Sequence, residues 1–192
     1  MRLASIIICV VCFLLSVACS KTESAKPAKQ STLRIIKAAP EFSALSAEGT
    51  AFQSKNLRGS VWVAYFFFTS CGGPCPVMNE RVAALQQELT ASNLRFVGIS
   101  VDPETDTPAI LTKYGEHYKR DPKRWQMLNV PKDSLPAVAA QGFMLGSPDD
   151  PALHSTRFVL VDKNAQIRGF YDGMDEAEVK KLKAAIMELV QE

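Results

Sequence analysis

An unbroken apolar run, VWVAYFFF over residues 61–68, limits the possible folds more than any other feature of the sequence. The run contains no charged residue and is rich in aromatic and β-branched side chains, which favour strands. A strand with one face in water would alternate apolar and polar residues, and this one does not. The run therefore predicts a central strand buried on both faces, in a chain that is long enough, at 192 residues, to build a real core.

Hydrophobic spacing predicts further elements on both sides of this strand. Residues 42–52 predict two short strands around a turn at Glu48-Gly49, and residues 94–101 predict a second central strand. One helix is predicted after Pro76, and another starts at the N-cap Thr107 with Pro108 as its first residue. The apolar faces expected for these helices are Met78, Val82, Leu85 and Leu89, and then Ile110, Leu111 and Tyr114.

The C-terminal part of the chain predicts a strand pair and a closing helix. Residues 155–171 read as two strands joined by a turn at Asp162-Lys163-Asn164, and a short helix is expected over residues 134–141 in the less regular part after Trp125. Asp175 and Glu178 form a capping box for the last helix. The buried stripe expected for that helix is Val179, Leu182, Ile186 and Leu189.

The order of these elements defines a fold class. A hairpin, a strand–helix–strand unit, a second helix, an insert, an antiparallel strand pair and a final helix follow one another along residues 33–192. This is the plan of an α/β, thioredoxin-like fold with an N-terminal β-hairpin and an insert before the last strand pair. The end of the first central strand, where the cysteines follow, lies at an edge of the sheet where ligands bind in such folds.

The first eighteen residues have the layout of a secretory signal peptide. Arg2 precedes an apolar run over residues 3–17, which is shorter than the ~20 residues that span a bilayer, and small residues close it. The stretch LLSVAC resembles a bacterial lipobox, in which Cys19 would carry the lipid. Residues 19–32 are rich in Lys, Ser and Ala and predict a flexible tether. We therefore expect an exported, membrane-anchored protein that faces the periplasm or extracytoplasmic space.

Cys71 and Cys75 are the only cysteines that remain once the leader and Cys19 are set aside. Disulfides form readily outside the cytoplasm, so these two residues can form one. A structural staple across so short a loop would contribute little, because it hardly restricts the unfolded chain. The pair is therefore expected to be functional, and its spacing leaves a redox disulfide and a pair of metal ligands both open.

The proline after the second cysteine predicts how that thiol is placed. A residue before proline avoids helical angles, so Cys75 is expected as the N-cap and Pro76 as the first helical residue. The free amides of Val77 and Met78 and the helix dipole would then stabilise the Cys75 thiolate. Such a thiolate attacks disulfides and binds soft metals.

One of the two histidines is a candidate third ligand. His117 lies among charged residues late in a helix and is expected at the surface. His154 lies just before a strand, in the loop that packs beside the cysteine turn in a thioredoxin-like layout. Two thiolates and one imidazole, with no fourth protein ligand in evidence, suit copper better than zinc. The sequence therefore offers Cys71, Cys75 and His154 as ligands of one copper ion.

Several stretches together resemble the Sco/SenC family of copper-binding, membrane-tethered thioredoxin-like proteins. They are FFFTSCGGPCP, GISVDPETDTPAILTKY and HSTRFVLVDKNAQIRGFYDG, within a resemblance that covers residues 42–173. The resemblance implies that Cys71, Cys75 and His154 match the family's ligands for Cu(I) or Cu(II). The implied role is to deliver copper to, or reduce the thiols of, the binuclear copper centre of cytochrome c oxidase subunit II. The family usually has a proline where this chain has Gly72. This difference affects the expected identity of the partner protein more than the expected set of copper ligands.

Two functions therefore stay open. A copper carrier, supplied by a periplasmic copper donor, would not be an enzyme, although it could exchange disulfides. A periplasmic thiol-disulfide oxidoreductase would use Cys71 and Cys75 without metal, one thiolate attacking a partner disulfide and the other resolving the mixed disulfide. Such enzymes favour two residues between their cysteines, and this loop has three. The net charge of +2, without basic runs, gives no reason to expect nucleic acid as a partner.

Overall fold

One mixed sheet forms the centre of the molecule in this computed structural model, which describes residues 31–145 and 155–192. Within those residues the strands are β1 (Lys37–Ala38), β2 (Ser43–Ser46), β3 (Ala51–Gln53), β4 (Val61–Phe67), β5 (Leu94–Ser100), β6 (Trp125–Asn129), β7 (Arg157–Val161) and β8 (Gln166–Asp172). Their order across the sheet is β1-β8-β7-β4-β5-β6-β2-β3. The predicted α/β, thioredoxin-like fold is confirmed by this architecture and by the solved structures described below.

The predicted central strand is confirmed as β4. It pairs in parallel with β5 on one side and antiparallel with β7 on the other, so both of its edges are hydrogen-bonded. Every residue of β4 is buried, as the absence of alternation predicts. Full burial of a large apolar side chain contributes on the order of 1.5–3 kcal/mol, so this strand supplies much of the core.

The two faces of β4 are covered in different ways. In the described part of the chain the helices are α1 (Pro74–Glu88), α2 (Pro108–His117) and α3 (Glu176–Val190). Apolar side chains of all three pack with Val61, Val63, Tyr65 and Phe67 on one face. The opposite face, with Trp62, Ala64 and Phe66, packs against the hairpin region and the insert that contains Val138 and Phe143.

The N-terminal hairpin is confirmed, and it joins the sheet through a strand that the sequence did not predict. β2 and β3 pair around a turn in which Gly49 has φ of +72°, a conformation that glycine adopts readily. β2 also pairs with β6, which runs parallel to β5. The sequence of β6, WQMLN, is short and mixed in polarity, and its strand character comes from its neighbours in the sheet.

The insert contains two short helical turns where one short helix over residues 134–141 was predicted. A 3₁₀ turn covers Lys132–Ser134 and a π-helical turn covers Ala137–Gly142. Pro136 lies between them and has no N–H to donate, which is consistent with a break at this point. The prediction was therefore right about helical backbone and wrong about its continuity.

The predicted starts of α2 and α3 are confirmed, with two differences in detail. Thr107 is the N-cap of α2 and Pro108 its first residue, but Ile110, predicted to face inward, is 39% exposed. Asp175 caps α3 by accepting hydrogen bonds from the amides of Ala177 and Glu178. The Glu178 carboxylate pairs with Lys181 instead of returning to the N-cap amide. Of the predicted stripe, Leu182, Ile186 and Leu189 are buried and Val179 is half-buried.

The start of the described chain is fixed to the end of α3. Ser31 Oγ and Thr32 N each donate to a Glu188 carboxylate oxygen, at 2.8 and 2.6 Å. The buried Arg168 guanidinium pairs with Asp162 at 2.7 Å and donates to the Leu33 carbonyl. The C-terminal part of α3 lies at the end of the sheet where β4 and β5 begin, since Asn93 Nδ2 donates to the Val190 carbonyl. The chain therefore enters the domain at the end of β4 that is opposite to the cysteines.

The predicted signal peptide, Cys19 and the tether up to residue 30 lie outside the described residues, as does His154. None of the helices within residues 31–145 and 155–192 has the length and apolar character needed to cross a bilayer.

Candidate metal centre

The two cysteines lie together at the carboxyl end of β4. The strand ends at Phe67, a short loop carries Cys71, and Cys75 lies in the first turn of α1. Both are free thiols, and both are almost completely buried, at 9% and 5% exposed. The two thiols are close enough for each to shift the pKa of the other. The structure therefore brings together two of the three predicted ligands.

The predicted helix start was wrong by two residues. Helix α1 begins at Pro74 with Gly73 as its N-cap, so Cys75 lies inside the first turn instead of capping it. Both Pro74 and Pro76 fit in this turn, because the first amides of a helix have no intrahelical acceptor and a missing N–H costs nothing there. Residues before a proline usually avoid helical backbone angles, but Cys75 is part of the helix although Pro76 follows it.

The position of Cys75 explains why its thiolate is not the favoured one, contrary to the sequence prediction. Burial raises the pKa of Cys75 to about 12, with the hydrogen bond to Cys71 acting in the same direction, although backbone amides of Phe68 and Cys75 oppose the shift. Burial also acts to raise the pKa of Cys71, but hydrogen bonds from the Cys75 thiol and from the amides of Cys75 and Gly73 outweigh it, and that pKa is lowered. Cys71 is therefore the thiol that loses its proton first as the pH rises.

A buried carboxylate, Asp106, holds the loop that carries Cys71. The Thr69 amide donates to one of its oxygens at 3.1 Å, the Thr69 hydroxyl donates to the other, and Ser100 Oγ donates at 2.5 Å. Asn129 Nδ2 donates to the Asp106 carbonyl at 2.9 Å. Asp106 itself is fully buried, so these bonds replace its hydration. It fixes Thr69, two residues before Cys71, to the end of β5.

Sequence reasoning gave Asp106 no role, although it lies in a stretch that carried the family resemblance. The only local signal was an acidic residue between Thr105 and Thr107, directly before a helix, which ordinarily indicates a surface turn. Its contact with Thr69 spans 37 positions of the chain, and hydrophobic periodicity holds no information about such a pair.

A small cavity opens beside Cys75, and its lining bears on the third predicted ligand. Ser155, the first described residue after the gap, belongs to that lining. The chain therefore returns next to Cys75 one residue after His154. The other lining residues are Phe66, Phe67, Phe68, Pro74, Met78 and Val101.

Within the described residues, no group of three or more His, Cys, Asp or Glu side chains could hold a metal ion. Of the predicted set, Cys71 and Cys75 are among those residues and His154 is not. His117 is exposed at the end of α2, as predicted, with its ring packed edge-on against Tyr118 at 4.9 Å. Two neighbouring thiols, one of them with a lowered pKa, are a donor set that fits a soft metal.

A comparison with protein families decides the membership of this chain. The model of the SCO1/SenC family matches residues 32–191, which include the cysteine loop, Asp106 and position 154. The chain belongs to the SCO1/SenC family. Among curated proteins, this SCO1/SenC chain is 30% identical over 141 residues to the SCO1 protein homolog of Bacillus subtilis (strain 168), covering 70% of this chain and 73% of the relative.

Solved structures agree with this membership. A SCO1/SenC family lipoprotein from Bacillus anthracis str. Ames has a TM-score of 0.71 at 26% identity, covering 80% of this chain and 95% of that one. BsSco, described with a disulfide switch and as a member of the Sco family of cytochrome c oxidase assembly proteins, has a TM-score of 0.72 at 25% identity, covering 84% and 98%. Arabidopsis thaliana ScoI, crystallised with copper bound, shares the fold with a TM-score of 0.64 at 24% identity, covering 78% and 98%.

Proposed function

We propose that this SCO1/SenC protein is a membrane-tethered copper carrier. It binds one copper ion through Cys71, Cys75 and His154 and delivers it to the binuclear copper centre of cytochrome c oxidase subunit II or a related oxidase, or reduces the cysteines of that centre. The observation that carries the proposal is the buried pair of free thiols, Cys71 and Cys75, at the carboxyl end of β4. Membership of a family that includes BsSco supports the oxidase as the destination.

The chemistry of the two sulfurs supports copper as the cargo. Thiolate is a soft ligand that suits Cu(I), and imidazole accommodates Cu(II) as well, so a set of two sulfurs and His154 serves either oxidation state. Cys71 is deprotonated first, and Cys75 gives up its proton when the metal arrives. The return of the chain at Ser155 beside Cys75 supports a third ligand at position 154. With only three protein ligands, one coordination position stays open for the receiving protein.

A copper titration tests this function. The reduced protein, titrated with copper under anaerobic conditions and followed by optical spectra and metal analysis, is expected to take up one ion per chain. The substitution His154→Ala is expected to weaken Cu(II) binding by orders of magnitude with an unchanged circular dichroism spectrum, because it removes the only imidazole of the set. The matched control is His117→Ala, since His117 is exposed on α2 and is expected to bind like the parent. Cu(II) binding by His154→Ala that equals the parent's would refute the carrier function.

A thiol-disulfide oxidoreductase is the second candidate, and the unequal thiols favour it. A lowered pKa at Cys71 and a raised one at Cys75 are the division expected of an attacking and a resolving cysteine. This function predicts rapid exchange with a disulfide substrate that His154→Ala does not change. Exchange rates and copper affinities measured on the same variants therefore separate the two functions.

The location that we propose follows from the leader and from one relative. Residues 1–18 would be removed as a signal peptide, Cys19 would carry the lipid, and residues 19–32 would connect the lipid to the domain. The likeness to the Bacillus anthracis lipoprotein supports this arrangement. The copper donor would then meet the protein on the extracytoplasmic side of the membrane.

A further inference from the structure

A buried polar cluster lies one helical turn along α1 from Cys75. Tyr65 on β4 donates through its hydroxyl to Asn79 Oδ1 at 2.6 Å and accepts a hydrogen bond from Trp125 Nε1 at 3.0 Å. Burial holds the pKa of Tyr65 well above its ordinary value, so the hydroxyl stays protonated and remains a donor. The cluster therefore connects β6 through β4 to the helix that carries Cys75.

The side-chain amide of Asn79 completes this connection at the cysteine itself. Asn79 Nδ2 donates to the backbone carbonyl of Cys75 at 2.8 Å and to the Tyr114 hydroxyl at 3.3 Å. Both its amide oxygen and its amide nitrogen have partners, and the side chain is 0% exposed. Through the hydrogen bonds of Asn79, the first turn of α1 is thus connected to both β4 and α2.

An asparagine at position 79 is expected to lower the stability of the helix and of the core, compared with an apolar residue. Asn is a poor helix former, and a buried amide loses its hydration, whereas a leucine at the same place would satisfy both helix propensity and burial. The amide does not reach either sulfur through the hydrogen bonds that it makes, because its contact with Cys75 is to the carbonyl oxygen. Its effect on the dithiol therefore runs through the backbone of Cys75.

We infer that Asn79, supported by Tyr65, is a positioning residue that holds Cys75 in the arrangement of the reduced pair. Cys71 and Cys75 are free thiols in the structure, so the hydrogen bonds of Asn79 stabilise the dithiol arrangement. Without them, the first turn of α1 can shift to meet the geometry of a disulfide. This inference rests on the proposed function only in taking the two cysteines as a reactive pair.

The same helix provides a matched control. Gln86 is also a buried amide on α1, at 6% exposed, and it donates to the Lys119 carbonyl and accepts from the Asp121 amide. Its partners belong to the turn after α2, away from the cysteines. Gln86→Leu and Asn79→Leu therefore remove the same chemical group from the same helix, and only Asn79→Leu releases Cys75.

The experiment is a metal-free equilibration of the full chain in glutathione buffers. The two protein thiols give two electrons and two protons to glutathione disulfide, which becomes two glutathione molecules as the Cys71–Cys75 disulfide forms. Mass spectrometry of the tryptic peptide over residues 59–81 measures the oxidised fraction, because that peptide contains both of these cysteines and no other. Asn79→Leu is expected to move the equilibrium constant about tenfold towards the disulfide, which corresponds to about 30 mV. Tyr65→Phe is expected to move it in the same direction by less.

Thermal unfolding of each variant separates positioning from loss of stability. Gln86→Leu is expected to lower the melting temperature by an amount similar to Asn79→Leu while keeping the parent's equilibrium constant. An unchanged constant in Asn79→Leu and Tyr65→Phe, an equal shift in Gln86→Leu, or a shift towards the dithiol overturns the inference. Should Asn79→Leu fail to fold, Tyr65→Phe alone decides. Because no copper is present, the result is independent of whether the parent binds the metal.

Discussion

Cys71 and Cys75 differ in how their protons are held, although both are buried and only three residues separate them. The Cys75 thiol and the amides of Cys75 and Gly73 lower the pKa of Cys71, whereas burial inside the first helical turn raises the pKa of Cys75. The two cysteines could be chosen from the sequence, but which of them has the lower pKa depends on where the helix starts. That start was wrong by two residues, because a proline is tolerated at several places in a first turn.

This difference predicts the order of alkylation. In the metal-free reduced protein at pH 7, iodoacetamide is expected to modify Cys71 on the order of tenfold or more faster than Cys75, because the thiolate is the nucleophile. The rate at Cys75 is expected to keep rising with pH towards its pKa of about 12, since a raised pKa means that its thiolate appears only in alkaline solution. Mass spectrometry of the peptide over residues 59–81, with Cys71→Ser and Cys75→Ser as controls, measures both rates. Faster modification of Cys75 at pH 7 would contradict the assignment.

At the scale of elements, the strands and helix starts that depend on a few consecutive residues were predicted from the sequence. The features that depend on contacts between distant parts of the chain were not. The apolar run of β4, the hairpin around Gly49 and the N-caps Thr107 and Asp175 all carry their signals within a few residues. Strand β6 depends on β5 and β2 for its pairing, and Asp106 depends on Thr69 and Ser100 for its burial. Contacts of this kind need the folded chain.

The Asp106 contacts predict a local and measurable cost. Asp106→Ala is expected to lower the free energy of unfolding by about 2–4 kcal/mol, because it leaves the Thr69 amide and the Ser100 hydroxyl buried without an acceptor. Urea denaturation followed by circular dichroism measures this change. Glu104→Gln is the control, since Glu104 pairs with Lys132 at an exposed site and its loss is expected to leave the free energy of unfolding nearly unchanged. Equal costs in the two variants would show that the Asp106 hydrogen bonds do not hold the cysteine loop.

At the scale of the whole molecule, the dithiol and the entry point of the chain lie at opposite ends of β4. The strand has seven residues, so at about 3.3 Å per residue it separates the two ends by roughly 20 Å. Ser31 and Thr32 are held at the far end by Glu188. His154, the ligand that only the sequence proposes, lies outside the described residues, but Ser155, the next residue along the chain, lies at the dithiol end.

This arrangement predicts that the tether acts on delivery and not on binding. Deleting residues 21–29 is expected to leave copper affinity unchanged, since the three proposed ligands all come after residue 70 of the sequence, and to reduce copper-dependent oxidase activity in cells. Replacing the same residues with a Gly/Ser segment of equal length is expected to restore that activity, because span and flexibility are what the segment provides. Full oxidase activity after the deletion would contradict this prediction, because it would show that delivery does not depend on the length of the tether.

The proposed attachment at the end far from the sulfurs would affect how the protein receives and delivers copper. A domain held by Ser31 and Thr32 and standing upright on a bilayer would point its sulfurs outward, where a soluble donor can approach them freely. To reach a receiving copper centre close to the lipid surface, the whole domain would have to tilt towards the bilayer. Uptake of copper and its delivery would therefore favour different orientations of the domain relative to the membrane.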